Sequence, residues 1–185
     1  MLRRFSFKPT QPLAFVSGKC RLLDNPTVGK ASTRMNIVLM CGSTYIGSRL
    51  VRFYAEMGWL SFSFHSLAFF VAATFTRQAH NTLKEMVIAV DLLDSGKAIE
   101  VTSAGFLGTK QKTVLQIKDM QDPQDNPKAR LYMAALSCWP ILTKKQTFWI
   151  SNHAVLHRGD VMDGILKGEE VDVSDTIQAE DIIDV

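Results

Sequence analysis

Histidine and carboxylate spacing is the first place to look for chemistry in this 185-residue chain. "HAVLHRGDVMD" sets His153 and His157 four apart, where one helix face would present both, and adds Asp160 and Asp163 as oxygen donors. Two histidines and a carboxylate could hold zinc. Gly159 and Gly164 are expected to interrupt a helix there, and no third ligand is fixed by spacing, so the pair reads as surface histidines. His65 lies in an apolar stretch and could ligate haem together with His80, but a histidine so placed more commonly bonds to a hydroxyl or carbonyl oxygen. The chain contains no phosphate loop, dinucleotide fingerprint or nucleophile elbow. The expectation is a non-enzyme with no metal, no cofactor and no small-molecule substrate. The charged residues that stand out are instead Arg49 and Arg52, set close to apolar runs.

Charge is distributed unevenly along the chain. Residues 1–34 carry seven bases and one acid, residues 160–185 one base and nine acids, so a net +3 hides a head of +6, a middle of +5 and a tail of −8. The head, "MLRRFSFKPTQPLAFVSGKCRLL", mixes arginine with phenylalanine, leucine and serine. That composition fits a mitochondrial targeting segment, while Pro9 and Pro12 confine any helix to its first turns. No basic stretch alternates with aromatics on a strand, so no nucleic-acid partner is expected. Cys20, Cys41 and Cys138 are odd in number and widely spaced, which excludes a disulfide framework and a zinc knuckle.

Between Glu56 and Arg77 lie 20 residues without a formal charge, including "LSFSFHSLAFFVAATF" (Leu60–Phe75). At about 1.5 Å per residue, a helix of that length matches a bilayer's hydrocarbon core of roughly 30 Å. Trp59 stands at one end as an interfacial anchor. Upstream, 14 uncharged residues separate Arg34 from Arg49, and Ser43 and Gly47 have the small-xxx-small spacing that lets helices approach closely. "AEMGWLS" would connect the two. The expectation is therefore a transmembrane helical hairpin over residues 35–78. Ser43, Gly47, Phe62, Phe69 and Phe70 would be its packing residues, and Arg49, Arg52 and Trp59 its contacts to partners or lipid. Lys30, Arg34, Arg77 and Lys84 put both termini on the matrix side of an inner membrane.

Past the hairpin the pattern changes. "EMVIAVDLL", "AIEVTSAGFLG" and "TKQKTVLQIKDM" read as a three-stranded meander over Met86–Lys118, with a turn at Asp94–Gly96. A short helix follows over Ala129–Leu136. "CWPILTKKQTFWISNHAVL" then supplies further strands with a turn at Lys144–Gln146. The fold class expected is an α+β membrane protein: a targeting-like segment 1–34, the hairpin 35–78, a small matrix-side β domain 84–150 and an acidic tail 151–185.

This order of parts, with "VIAVDLLDSGKAIEVTSAGFLGTKQKTVLQIKDM" (Val87–Met120) after a helical hairpin, resembles the small mitochondrial inner-membrane assembly factors typified by transmembrane protein seventy. The resemblance covers about Met35–Met120 and is architectural, so it transfers no functional residue. It implies a non-catalytic accessory subunit or assembly factor of a respiratory complex or ATP synthase, in contact with other subunits and with membrane lipids. The competing expectation is a mitochondrial ribosomal protein in which Leu60–Phe75 is a buried core element.

Overall fold

The computed structural model describes residues 7–53, 58–105, 109–136, 138–174 and 176–178. Its centre is formed by β3 (Val87–Leu93) and β4 (Ala98–Ala104), whose residues are almost all buried. Such continuous burial requires cover on both faces, which is why these segments are runs of valine, isoleucine and alanine rather than a strict alternation. β3 and β4 pair antiparallel around the turn that Asp94–Gly96 supplies, and β5 (Lys110–Gln116) pairs with β4 on the far side. These three strands lie where the meander is expected. β5 is an edge strand, and its exposed Lys110 and Lys112 discourage further pairing.

Two more strands extend the sheet. β2 (Lys19–Asp24) pairs antiparallel with β3, and β9 (Val155–Leu156) pairs with β2, so the order is β5-β4-β3-β2-β9. β1 (Leu13–Phe15) turns into β2 through Ser17 and Gly18, both at positive φ. A second sheet contains β6 (Met120–Gln121), β7 (Cys138–Thr143) and β8 (Thr147–Ser151), with α3 (Pro127–Leu136) leading into β7. The Lys144–Gln146 turn closes on a bond from Thr143 N–H to the Gln146 carbonyl, 3.0 Å.

One core serves both sheets. Leu22, Val90, Ile99 and Val101 meet Ile141 and Phe148 from the second sheet, and Val161 and Ile165 from α4 (Gly159–Leu166). The two chain ends close over it. Leu13, in the segment read as targeting-like, is 1% exposed. β1 pairs in parallel with β10 (Thr176–Gln178), and Phe7 bridges Val171. Residues 1–6 and 179–185 lie outside the described residues. The glycines of α4 do not interrupt it, contrary to expectation. A Cβ at Gly164 would come within 3.1 Å of the Phe7 ring, so this glycine is a packing requirement that outweighs its low helix propensity.

The membrane-spanning hairpin is the main correction. Two antiparallel helices do form, α1 (Pro26–Phe53) and α2 (Trp59–Lys84), joined through residues 54–57, which lie outside the described residues and include the first three residues of the expected "AEMGWLS" connection. Among the described residues, however, no helix is long and apolar enough to cross a membrane. Length is not the limit, since α1 has 28 residues and α2 has 26. Apolarity is: α1 contains Lys30, Arg34, Arg49 and Arg52, and α2 interrupts its phenylalanines with Ser63, His65, Ser66, Thr74 and Thr76. The fold is α+β, a five-stranded antiparallel sheet with a helical hairpin inserted between two of its adjacent strands. Leu60–Phe75 is not core either, because Phe64, Phe70 and Phe75 are exposed.

The β3–β4 turn carries a sharp test of this packing. Gly96 has φ of +65°, and a Cβ there would lie 2.2 Å from the Val171 carbonyl oxygen, which belongs to the C-terminal strap. Gly96→Ala should destabilise the chain by roughly 2–3 kcal/mol. Gly42→Ala, at a helical site with nothing within 4 Å, should be neutral or stabilising. Denaturant melts of the two variants check the contrast.

Candidate functional site

The inserted hairpin is an arm with a rigid root. Asn25 follows β2 directly. Its N–H donates to the Ile88 carbonyl on neighbouring β3 at 2.6 Å, and its side-chain oxygen accepts from Val28 N–H at 3.3 Å, capping α1. Pro26 occupies the first helical position, where no amide donor is needed. At the other end, the Glu85 carbonyl accepts from Trp149 N–H of β8 at 2.7 Å, and its carboxylate accepts from the Trp149 indole at 3.3 Å. Both helices therefore leave the domain from adjacent, hydrogen-bonded strands, which fixes them side by side.

Within the arm, Ser43 and Gly47 face α2. Ser43 Oγ lies 3.1 Å from Thr76 Oγ1, and a Cβ on Gly47 would stand 3.3 Å from the Phe69 ring. Phe62 is half-buried, whereas Phe70 points outward. The outward surface is largely apolar, with Val38 and Val51 on α1 and Trp59, Phe64, Leu67 and Phe75 on α2 all exposed. The charge on the two helices has one sign. The two helices contain six Lys or Arg and no Asp or Glu. Arg49 lies 5.6 Å over the Tyr45 ring and donates to its hydroxyl at 3.1 Å, and exposed Arg52 stands in the last turn of α1.

A second cluster lies on one face of the main sheet. Arg21 pairs with Asp91 directly across β2 and β3. Lys19 Nζ donates to both Glu100 oxygens at 2.8 Å, and Lys112 reaches Glu100 at 3.1 Å. Asp91 and Glu100 are buried while their basic partners are at least a third exposed, so acids form the floor and bases the rim. The hydrogen bond from Lys19 holds the Glu100 carboxyl below the usual carboxylate range, and the same bond raises Lys19. The Glu100 contribution to stability is thus complete above its ordinary unfolded value of about 4.3 and is lost as pH falls through the lower folded value. Beside this ladder an open cleft of about 640 Å³ is lined by Arg21, Asp91, Lys112, His157 and Arg158 among others. Sequence reading missed the ladder. Its signal was a lone acid in each of two apolar strands, "AVDLL" and "AIEVT", where a buried carboxylate needs a cross-strand base.

The candidate metal residues do not converge. His153 sits in the β8–β9 turn, and His157 precedes α4; both are exposed. Asp160 is engaged by the N-terminal strap, accepting from Thr10 Oγ1 at 2.7 Å, and Arg158 in turn donates to the Gln11 carbonyl at 2.9 Å. Burial would raise the Asp160 carboxyl, but the Thr10 and Arg158 hydrogen bonds outweigh it and hold the group well below the usual range. Asp163 pairs with Lys167 instead. Among the described residues no group of three or more His, Cys, Asp or Glu could hold a metal ion. His65 packs edge-on against Phe64, and about 22 Å of helix separates it from His80, too far to share one iron.

Removing one member of a buried ion pair strands the other. Arg21→Met should cost about 1–2 kcal/mol, less than for a fully buried pair, because Arg21 is half exposed while Asp91 is buried. Arg21→Met/Asp91→Asn should recover most of that loss, and equal losses in the single and double variants would remove the pair from the account. Compared with known proteins, the chain matches no family model and no curated protein.

Proposed function

We propose that this chain is a non-catalytic accessory subunit or assembly factor of a mitochondrial oxidative-phosphorylation complex, held there by its helical arm. The observation that carries the reading is the arm itself. It is rooted in a β domain with its own core, yet it shows large apolar side chains on the outward faces of both helices. Exposed patches of that kind mark interaction surfaces, because leaving them in water forgoes the gain of burying them. The first residues, "MLRRFSFK", with their arginine, phenylalanine and serine ahead of β1 and β2, support mitochondrial import. In this reading the arm seats against neighbouring subunits of an inner-membrane assembly, with Arg49 and Arg52 meeting acidic groups on them. The β domain presents its charged face to the matrix side.

Arg49→Glu/Arg52→Glu tests the reading on tagged protein expressed in cells. Both side chains are exposed, so the fold should survive, as circular dichroism would verify. On a mild-detergent native gel the wild type should migrate with a large respiratory or ATP-synthase band and the variant should run free. Wild-type protein that enters no such band, or a variant that stays in it, contradicts the proposal.

A further inference from the structure

We infer that the outward stripe of α2 is a docking face for an anionic lipid surface, with the helix lying in the plane of the interface. Phe64, Leu67, Val71 and Phe75 are spaced i, i+3, i+7 and i+11, which puts them within about 80° of arc on a helix of 3.6 residues per turn. All four are exposed. Phe69, which meets Gly47 on α1, stands more than a quarter-turn away from each of them, so the stripe faces away from the helix–helix contact. The inference rests on the arm being a docking element and names what one of its faces docks on.

Charge selects among the occupants. A second copy would bring six more bases to six, again with no acid on either helix. An anionic headgroup layer complements that field instead. Arg77 and Lys84 follow the stripe in sequence but stand about 120° and 140° round the helix from its centre, so they add to the positive field that attracts headgroups rather than contact them.

The arm's polar groups are also prepared to leave water. Ser63 Oγ donates to the Trp59 carbonyl at 3.0 Å, Thr74 Oγ1 to the Phe70 carbonyl at 2.8 Å and Thr82 Oγ1 to the Gln78 carbonyl at 3.1 Å. A hydroxyl already bonded to its own helix costs less to desolvate than a free one. The stripe is only about 16 Å long, which suits shallow burial of one face at the headgroup boundary.

Vesicle flotation of the full-length protein tests this. It should float with vesicles of phosphatidylcholine plus phosphatidylglycerol and bind pure phosphatidylcholine far less, and salt should weaken the binding. Phe64→Gln/Phe75→Gln should reduce binding about tenfold or more, and Arg77→Gln/Lys84→Gln should reduce it by less than the roughly fivefold per charge of a base lying at the surface. Equal binding to both vesicle types, or full binding by the phenylalanine variant, overturns the inference. Native-gel migration of the same variants separates the two readings. No vesicle binding, with complex migration that is lost in Phe64→Gln/Phe75→Gln, gives the stripe to an acidic protein face and leaves the proposed function standing. A wild-type dimer in light scattering that this variant dissolves gives the stripe to a second copy and overturns the lipid assignment.

Discussion

The pairing of β2 with β3 is the constraint on which the rest of the structure depends. These strands are separated by the 62 residues 25–86, yet they lie side by side, with Lys19 opposite Leu93 and Asp24 opposite Ala89. Pairing them closes a very long insertion, and that cost grows only slowly with length. Once closed, both ends of the insertion emerge from neighbouring positions on one sheet. The inserted chain then has one economical path, out along α1 and back along α2. The Arg21–Asp91 pair crosses this junction, and the Asn25 N–H to Ile88 carbonyl bond seals its end.

The same junction explains why the segments 7–24, 155–174 and 176–178, near the two ends of the chain, are parts of the domain. With the middle of the sequence spent on the arm, the sheet is covered partly by the termini. Leu13 and Phe15 come from the N-terminal segment, and Val161, Ile165 and Val171 from the C-terminal one. They are tied together by the β1–β10 pairing, by Phe7 against Gly164, by Thr10 on Asp160 and by Arg158 on the Gln11 carbonyl. The basic head and acidic tail, whose opposite charges stand out in the sequence, therefore meet within one chain in the segments described.

Legibility in the sequence followed locality. β3, β4, β5, α3 and the β7–β8 hairpin could be read because their periodicity and turn residues are contiguous. The two helices were legible as helices, but their surroundings were not. A run such as "LAFFVAATF" has the same helical period in a bilayer, a core or an exposed arm, and only the interrupting polar residues and the neighbouring fold separate these cases. β2 was illegible because "KCRLLD" pairs with a partner far along the chain and its Lys19 and Arg21 resemble a targeting composition. Their role is to meet Glu100 and Asp91. α4 was missed because its glycines argue against a helix locally, while Phe7, over 150 residues earlier in sequence, requires one of them. For the site, Ser43 and Gly47 at the helix contact were readable from spacing, whereas the ladder beneath Lys19 and Arg21 needed the topology.

The arm is an element separate in stability from the sheet that holds it, completed by what it docks on. Amide hydrogen exchange across the whole chain, free and in its native assembly, measures this most directly. In the free protein, amides of β2, β3 and β4 should exchange slowest and those of α1 and α2 much faster. In the assembly the helices should slow markedly while the sheet barely changes. Helices as protected as the sheet in the free chain, or unaltered by assembly, would contradict the claim that this arm is what the protein uses to bind.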